Sequence, residues 1–417
     1  MFDVLVAGAG IGGLAAALSL HKAGFRVAVR EAVPEIRPLG VGINLLPHSV
    51  KHLFELGLQP ALDASAIRTS ELRYYSKHGR LIWREPRGLD AGYRWPQYSI
   101  HRGRLQMLLL DAARERLGPD AILTGRAVTD LAEVDGGVRV RLRAPDGAEG
   151  EEEARLLVAA DGIHSTIRRK FYPAEGPPIW NGAVLWRGLS EAKPYLDGRT
   201  MCMSGHQAQK FVNYPIGPAD PASGLAPINW IAELRFDPKN DWRREDWNRA
   251  GRIEEFLPRF AEWTFDWLDI PTLVRSARAI YEYPMVDRDP LGRWTFGRST
   301  LLGDAAHPMY PIGSNGASQA ILDARALTAA LLTHGPQPAA LEQYEAERRP
   351  RTSAIVLANR GNGPEQVMQM VEERAPDGFA RLDDVIGEAE LREVAATYKR
   401  LAGFDPAILN GEPAMFA

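Results

Sequence analysis

Phe2 to Ala7 is apolar apart from Asp3, the pattern of a strand buried on both faces. A glycine-rich turn follows, and Leu14 to Leu20 resumes as an apolar helix. Arg26-Val-Ala-Val-Arg-Glu31 predicts a second strand. Between Pro47 and Gly57 a helix is expected, with Val50, Leu53, Phe54 and Leu56 on its apolar face. Glu71 to Ser76 and Arg80 to Trp83 read as strands around the turn Lys77-His78-Gly79. Ile100 to Leu117 reads as a helix that aligns Leu105, Leu108, Leu109 and Ala112. Val128 to Leu142 reads as a hairpin turning at Asp135-Gly136-Gly137, and Leu156 to Ala160 as a buried strand.

From 176 to about 282 the chain changes character, and seven of its ten tryptophans fall there. Alternation predicts strands at Gly182–Gly188, Thr200–Ser204, Lys210–Pro215 and Ile228–Phe236. Trp242, Trp247, Trp263 and Trp267 lie in charged, helix-like sequence, and the spacing of Trp263 and Trp267 predicts one shared helix face. Beyond Pro338 the pattern is amphipathic helix, Leu341 to Val371 and Asp383 to Leu401.

Three motifs carry chemistry. Gly8-Ala-Gly-Ile-Gly-Gly13 lies between the first strand and the first helix and fits G-x-G-x-x-G at 8, 10 and 13. Such glycines allow a tight turn, a close pyrophosphate and helix-on-strand packing, and Glu31 stands where an acid would take a ribose hydroxyl. Asp161-Gly-Ile-His-Ser-Thr-Ile-Arg168 has the spacing D-G-x-x-S-x-x-R, more than a bare Asp-Gly turn needs. Leu301 to Asp323 reads as strand, Gly303-Asp304 turn, Pro/Gly loop and a helix starting near Asn315-Gly316. A helix start presents unpaired N–H groups and a positive dipole end, suited to a ring that becomes anionic, and Asp304 is placed to accept from ribityl hydroxyls.

In that order, these motifs resemble the single-component (group A) FAD-dependent aromatic hydroxylases, over about residues 1 to 365. The stretches Gly40–Pro47 and Gly313–Ala324 are most similar to the 5-methylphenazine-1-carboxylate 1-monooxygenase and salicylate-hydroxylase branch. Ser314-Asn315-Gly316-Ala317 departs from the Gln-Gly-x-Asn of most relatives, a departure shared with the phenazine type. The resemblance implies an α/β fold: a Rossmann-like FAD-binding domain (1–70, 100–175 and 283–337) interrupted by a mixed-sheet substrate-binding domain (71–99 and 176–282), then C-terminal helices (338–417). It implies a monooxygenase that hydroxylates a phenolic, N-heteroaromatic or polycyclic substrate with NADH or NADPH and O2, through a C4a-hydroperoxyflavin.

Residue by residue, the resemblance implies that Gly8, Gly10, Ile11, Gly12, Gly13, Glu31, Arg102, Val128, Asp161, Gly303, Asp304, Gly313, Ser314, Asn315 and Gly316 hold FAD. Pro311, Ile312 and Gly313 would border the oxygen-transfer site. Tyr310, Pro311, Trp186 and Met203 would meet substrate, although Tyr310 could reach either substrate or core, and a packed sheet tryptophan beside a solvated arginine is the favoured reading of Trp186-Arg187. Arg102 fits the family's R-x-x-L-x-x-x-L register, and a cation at a helix start is otherwise unfavourable. Arg168 is read as a support for its loop and His307 as a structural histidine. Other flavin oxidoreductases, a dehydrogenase or a halogenase, and a non-catalytic flavoprotein are the alternatives; the halogenase motif W-x-W-x-I-P is absent from the sequence.

Composition narrows the rest. The 417 residues carry a net charge of −3, which gives no reason to expect a nucleic-acid or anionic-membrane partner. The single cysteine, Cys202, excludes an internal disulfide and is in keeping with a cytoplasmic protein, monomeric or homodimeric. The apolar start lacks a basic leader and is better explained by the glycine turn than by an integral membrane segment. The sequence has no H-E-x-x-H or cysteine pair for a metal and no G-x-S-x-G elbow, so no metal site is expected.

Overall fold

The computed structural model describes residues 1–237 and 249–416, so the expected helical positions of Trp242 and Trp247 lie outside the described residues. The larger of two main sheets has eight strands. At its centre Val27–Arg30, Phe2–Ala7, Glu149–Ala159 and Ser299–Leu301 run parallel, in that order across the sheet. Val4 to Ala7 are buried, as expected of a parallel strand covered by helices on both faces. The helices Ile11–Lys22 and Gly316–His334 pack on one another beside this sheet.

Glu149–Ala159 begins earlier than its apolar run predicts. Its charged first half pairs antiparallel with Gly137–Arg143, and Arg139 sits across from Glu153 with Nη2 2.9 Å from Oε1. Its apolar second half enters the core beside Phe2–Ala7. Cross-strand ion pairs thus carry a run that looked too polar to be a strand.

The second sheet has seven strands, in the order Ala277–Asp287, Ile179–Ala192, Ala226–Arg235, Gln209–Pro215, Thr200–His206, Glu71–Tyr75 and Leu81–Pro86. It is mixed, since Thr200–His206 pairs parallel with Glu71–Tyr75 while its other pairings are antiparallel. Its two faces differ. Trp186, Phe211 and Trp230 pack outward against Phe256 and Phe260, whereas Leu185, Met201, Met203, Val212 and Tyr214 face inward, toward Tyr310 and Ile312. The strand Ala277–Asp287 runs across the domain boundary expected at 283.

Three expected elements differ. Gln97–His101 is a strand paired with Gly42–Leu45 and Ile67–Thr69, so the helix begins at Arg102 and not at Ile100, with the His101 ring accepting from Arg104 N at 3.2 Å. Trp263 and Trp267 do not share a helix. Thr264–Phe265 and Leu268–Asp269 form a tight hairpin, and Trp267 stacks on Tyr75 with ring centroids 4.7 Å apart. The helix expected over 341–371 is two helices, Pro338–Arg360 and Gln366–Arg374, broken where Asn362 and Gly363 take positive φ. A Cβ on Gly363 would lie 2.9 Å from the Tyr398 ring, so the break lets the chain pass close to that tyrosine.

Arg168 links the sheets' connecting loops. It is buried, its Nη1 donates to the carbonyls of Ala305 (3.0 Å) and Ala306 (3.1 Å), and its guanidinium pairs with Glu175. The spacing of D-G-x-x-S-x-x-R therefore has a mechanical reason: it sets the arginine one helical turn beyond the Ser165 cap, over the Gly303 turn. Arg168→Met should destabilise the protein by about 3 kcal/mol in urea denaturation, because it leaves the Ala305 and Ala306 carbonyls without their donor and Glu175 with Arg288 alone; a change of less than about 1 kcal/mol would show that these contacts carry no net stability.

Candidate functional site

The glycine turn forms as its spacing requires. Gly8 has φ +102°, and a Cβ there would meet the Ala160 carbonyl oxygen at 2.5 Å; a Cβ on Gly13 would lie 2.1 Å from the Gly8 carbonyl oxygen. Gly12 packs on Leu302 and Ala320. At Gly10 an added Cβ meets nothing within 4 Å, so this glycine faces open space and not a neighbour. The helix behind it, from Ile11, has no side-chain cap and no acid in its first turn. Its leading amides are left for a ligand.

Three groups fix this turn. Glu31 Oε2 accepts from Ala9 N at 2.7 Å and its Oε1 from Val33 N at 2.9 Å. Gln106, which sequence reasoning passed over, donates to the Ala9 carbonyl at 2.9 Å. Arg126 N donates to the Glu31 carbonyl at 2.7 Å, which brings the strand carrying the buried Val128 beside Glu31. Asp161 packs against Gly8; its Oδ2 accepts from Thr166 N at 2.8 Å, while its buried Oδ1 has no partner. Burial pushes the Asp161 carboxyl up, against the Ser165 and backbone hydrogen bonds that pull it down.

The late motif reaches the same place from the other side. Gly303 takes φ +61°, and a Cβ there would lie 3.2 Å from Ala320 on the helix Gly316–His334. Asp304 makes no hydrogen bond to any described residue. Its carboxylate is reached by solvent yet walled by protein, the condition of a group lining a cleft. That enclosure raises its pKa, and the charges of His307 and Arg102 draw it back. Arg102 is exposed at its helix start; its backbone N donates to the Val41 carbonyl at 2.8 Å, while its guanidinium makes no hydrogen bond or ion pair among the described residues.

Asp323, which the sequence reading did not single out, organises this region. Its Oδ2 accepts from Gly303 N at 3.0 Å and meets His307 Nε2 at 2.6 Å, and its Oδ1 accepts from Arg348 Nε at 2.7 Å. Burial alone would raise its pKa, but the charges of His307 and Arg348 outweigh that and hold it below the usual range. His307 is buried against this acid, the structural role expected of it. The signal available in the sequence was the i+16 recurrence of an acid inside the next helix, which becomes meaningful only once the turn is folded.

The loop Pro311–Asn315 is held by Tyr398 of the helix Glu388–Ala402. The Tyr398 hydroxyl contacts the Ile312 carbonyl at 3.3 Å and Asn359 Oδ1 at 2.8 Å, and Asn315 Nδ2 donates to it at 2.9 Å. Gly313 (φ +67°) and Ser314 (φ +57°) are both left-handed. Gly316 opens the 19-residue helix with no side-chain cap, and a Cβ on it meets nothing within 4 Å. Gly10 and Gly316 are thus alike: each begins an uncapped helix and faces empty space.

Gly313, Ser314 and Met203 share a cavity with about 410 Å³ of empty volume, partly open to solvent, whose apolar wall includes Leu46, Leu72, Met201 and Phe404. Ile312 is buried beside this wall, and Pro311 is exposed. Three residues expected at substrate do not line the cavity: the exposed Pro311, Trp186 and Tyr310. Trp186 is buried in the outward layer, stacked on Phe256 with centroids 5.1 Å apart, because strand alternation turns it away. Tyr310 is packed in the inward core, and its carbonyl accepts from Asn359 Nδ2 at 3.1 Å. Arg187, expected to be solvated, faces inward. Its Nη2 donates to the Gly42 carbonyl at 2.9 Å, and its buried Nε has no partner. Cys202 is buried, which pushes its thiol well up and away from reactivity. Among the described residues no group of His, Cys, Asp or Glu could hold a metal, and no helix is long and apolar enough to cross a membrane.

Residues 1–359 match the family model described as an FAD binding domain. The chain is 49% identical over 362 residues to the phenazine 1,6-dicarboxylic acid hydroxylase PhzS of Lysobacter antibioticus, covering 86% of this chain and 89% of that protein. It is 34% identical over 401 residues to a 3-amino-4-hydroxybenzoate 2-monooxygenase of Streptomyces platensis, covering 91% and 94% respectively. In fold it is similar to Klebsiella pneumoniae HpxO complexed with FAD and uric acid, with a TM-score of 0.71, 25% identity, and 98% of this chain and 95% of that chain covered.

Two glycine variants separate ligand approach from packing. Gly10→Val should leave the apoprotein's thermal midpoint near wild type while abolishing FAD uptake, since its side chain enters only the open space. Gly13→Val should lower the midpoint itself, because its Cβ meets the Gly8 carbonyl. Normal FAD affinity in Gly10→Val, read by equilibrium dialysis, would mean that the open space is not where the pyrophosphate lies.

Proposed function

Given that the chain belongs to the FAD-binding-domain family and is an FAD-dependent aromatic monooxygenase, we propose how its residues divide the work. The observation that carries this reading is the pair of uncapped helix starts, at Gly10 and Gly316, whose glycines face open space, together with the unpartnered carboxylate of Asp304. The donor set fits FAD, an anionic dinucleotide with a hydroxyl-rich linker and a ring that gains negative charge.

The larger sheet would be the FAD-binding unit (1–70, 100–175 and, beyond the strand that ends at Asp287, 288–337), and the second sheet the substrate unit. Amides of the helix from Ile11 would hold the pyrophosphate, with Arg102 supplying a positive charge. Glu31 would take the adenosine ribose and Asp304 the ribityl hydroxyls. FAD, when bound, accepts hydride from NADH or NADPH and activates O2. The protein's part is to position, to exclude water and to stabilise charge. The amides and dipole at Gly316 would stabilise the charge that reduction places on the ring. Met201, Met203, Leu72 and Phe404 would keep the cavity dry, and the Gly313-Ser314 turn would hold the substrate ring close. Arg187, half-buried with its Nη2 on the Gly42 carbonyl, would add a second positive charge on the inward face. No side chain is needed as a nucleophile.

The overall reaction converts an aromatic C–H to C–OH, with one O2 atom entering product and the other leaving as water while NAD(P)H is oxidised to NAD(P)+. The curated relatives' names point to an aromatic or N-heteroaromatic acid as substrate. A soluble cytoplasmic enzyme, monomer or homodimer, is in keeping with a single, buried cysteine. The test is substrate-stimulated NAD(P)H oxidation that yields a product one oxygen heavier. NAD(P)H oxidation with no such product across acids, phenols and N-heteroaromatics would count against the proposed substrate class.

Gly313→Val should keep FAD bound but uncouple the reaction, so that most NAD(P)H consumed appears as hydrogen peroxide. The variant forces a branched residue into φ +67° and drives its Cβ to 2.2 Å from the Tyr398 hydroxyl, displacing the turn that shuts out water. Peroxide and product measured together decide it, and wild-type coupling would remove this turn from the oxygen-transfer site.

A further inference from the structure

The cavity closed at one end by Gly313 and Ser314 also has a polar wall. Glu85 and Arg87, from the strand Leu81–Pro86 and the residue after it, line it together with Lys399 from the helix Glu388–Ala402. Arg87 Nη2 lies 3.0 Å from Glu85 Oε2, and Lys399 Nζ lies 2.6 Å from Glu85 Oε1. One carboxylate therefore faces two cations. The next acids, Glu365 and Glu233, are taken up by Lys210 at 2.5 and 3.0 Å, outside this wall.

Three polar atoms in the same wall lack a well-formed hydrogen bond, namely Arg87 Nε, the Tyr74 hydroxyl and Gln97 Oε1, and the Arg87 guanidinium lies against the Tyr74 hydroxyl, so that one anion could take both. Tyr74 is 1% and Gln97 3% exposed, so water does not serve them freely. Buried polar atoms in native proteins are otherwise nearly all paired, and an excess positive charge beside an apolar pocket is unfavourable unless a ligand brings the anion. Arg87 Nε–H and the Tyr74 O–H are donors that a carboxylate can take, while Gln97 Oε1 can accept from a hydroxyl or N–H.

We propose that Arg87, Tyr74 and Lys399 form a carboxylate subsite that selects aromatic acids and orients the ring, acid group at this wall and reacting carbon toward Gly313-Ser314. The proposal rests on the reading of the protein as an aromatic hydroxylase and adds which substituent it selects. Glu85 is a positioning residue: it holds both cations in place and offsets part of their charge.

The FAD-loaded enzyme is titrated, by flavin absorbance, with phenazine-1,6-dicarboxylate, 3-amino-4-hydroxybenzoate and 3-hydroxybenzoate, and with the primary amide of each. At least one acid should bind wild type about tenfold more tightly than its amide, as expected of a charge-assisted hydrogen bond. Arg87→Gln and Lys399→Gln should each remove most of that preference and leave amide affinity within about twofold, while Arg87→Lys retains it. Glu85→Gln should increase the preference, an outcome structural damage would not produce. If no acid is preferred over its amide, or if Arg87→Gln weakens acid and amide equally, the subsite is overturned. Hydroxylated product is scored in parallel. Product formation with an unchanged preference in Arg87→Gln overturns the subsite alone. A preference lost in Arg87→Gln, with no hydroxylated product from any probe, upholds the subsite and overturns the hydroxylase reading.

Discussion

Asp323 is a fully buried carboxylate, and burying an acid is costly unless donors surround it. Here the donors are the Gly303 amide, His307 and Arg348, each drawn from a different element. Through Gly303 the acid sets the turn that presents Asp304. Through Arg348 it reaches Gln319 Oε1 at 2.6 Å, and Gln319 Nε2 reaches Asn315 Oδ1 at 3.1 Å, at the start of the long helix. Asn315 in turn meets Tyr398. One buried charge thus ties the sheet edge, the loop at the cavity and the C-terminal helices into a single hydrogen-bonded chain. Buried networks of this kind rigidify the segments they join, and within this one His307 Nδ1 is left without a partner.

Rigidity matters because the site is built from groups that favour a ligand only if they cannot find partners of their own. An uncapped helix start would bend toward any nearby oxygen if the loop before it were free. The turn at Gly8 is pinned by Glu31 and Gln106, and the turn at Gly313 by Tyr398 and Asn315. Arg168 joins the mid-chain motif to the late one across their carbonyls. Preorganised amides and dipoles of this kind need no rearrangement when charge develops in front of them.

The second sheet contributes through its alternation. One face is aromatic and closed by the segment around Phe256 and Phe260, and the other is aliphatic and thioether-rich and borders the cavity. A shift of one residue in Ile179–Ala192 would put Trp186 in place of Arg187 at the cleft, so the register of that strand decides what the site contains. The C-terminal helices complete the cavity, with Tyr398 at its loop end and Lys399 at its polar wall.

The α/β class, the order of strands and helices, the glycine turn and the helix start at Gly316 were legible in the sequence, because each depends on local backbone requirements: a strand's apolar run, a φ only glycine tolerates, a helix that must begin somewhere. The structural readings of His307 and Arg168 rest on the family resemblance, and the contacts that support them, to Asp323 and to the Ala305 and Ala306 carbonyls, are tertiary. What only the tertiary structure decided depends on partners far apart in the chain. Asp323 looked like any helix acid until Gly303 and Arg348 met it. Trp263 and Trp267 looked helical by spacing, but stacking on Tyr75 favours a hairpin. The face taken by Trp186 and Arg187, the break at Asn362-Gly363 that admits Tyr398, and the two cations gathered on Glu85 follow from packing between segments. A periodicity shows which residues share a face; it does not say which face the rest of the molecule will cover.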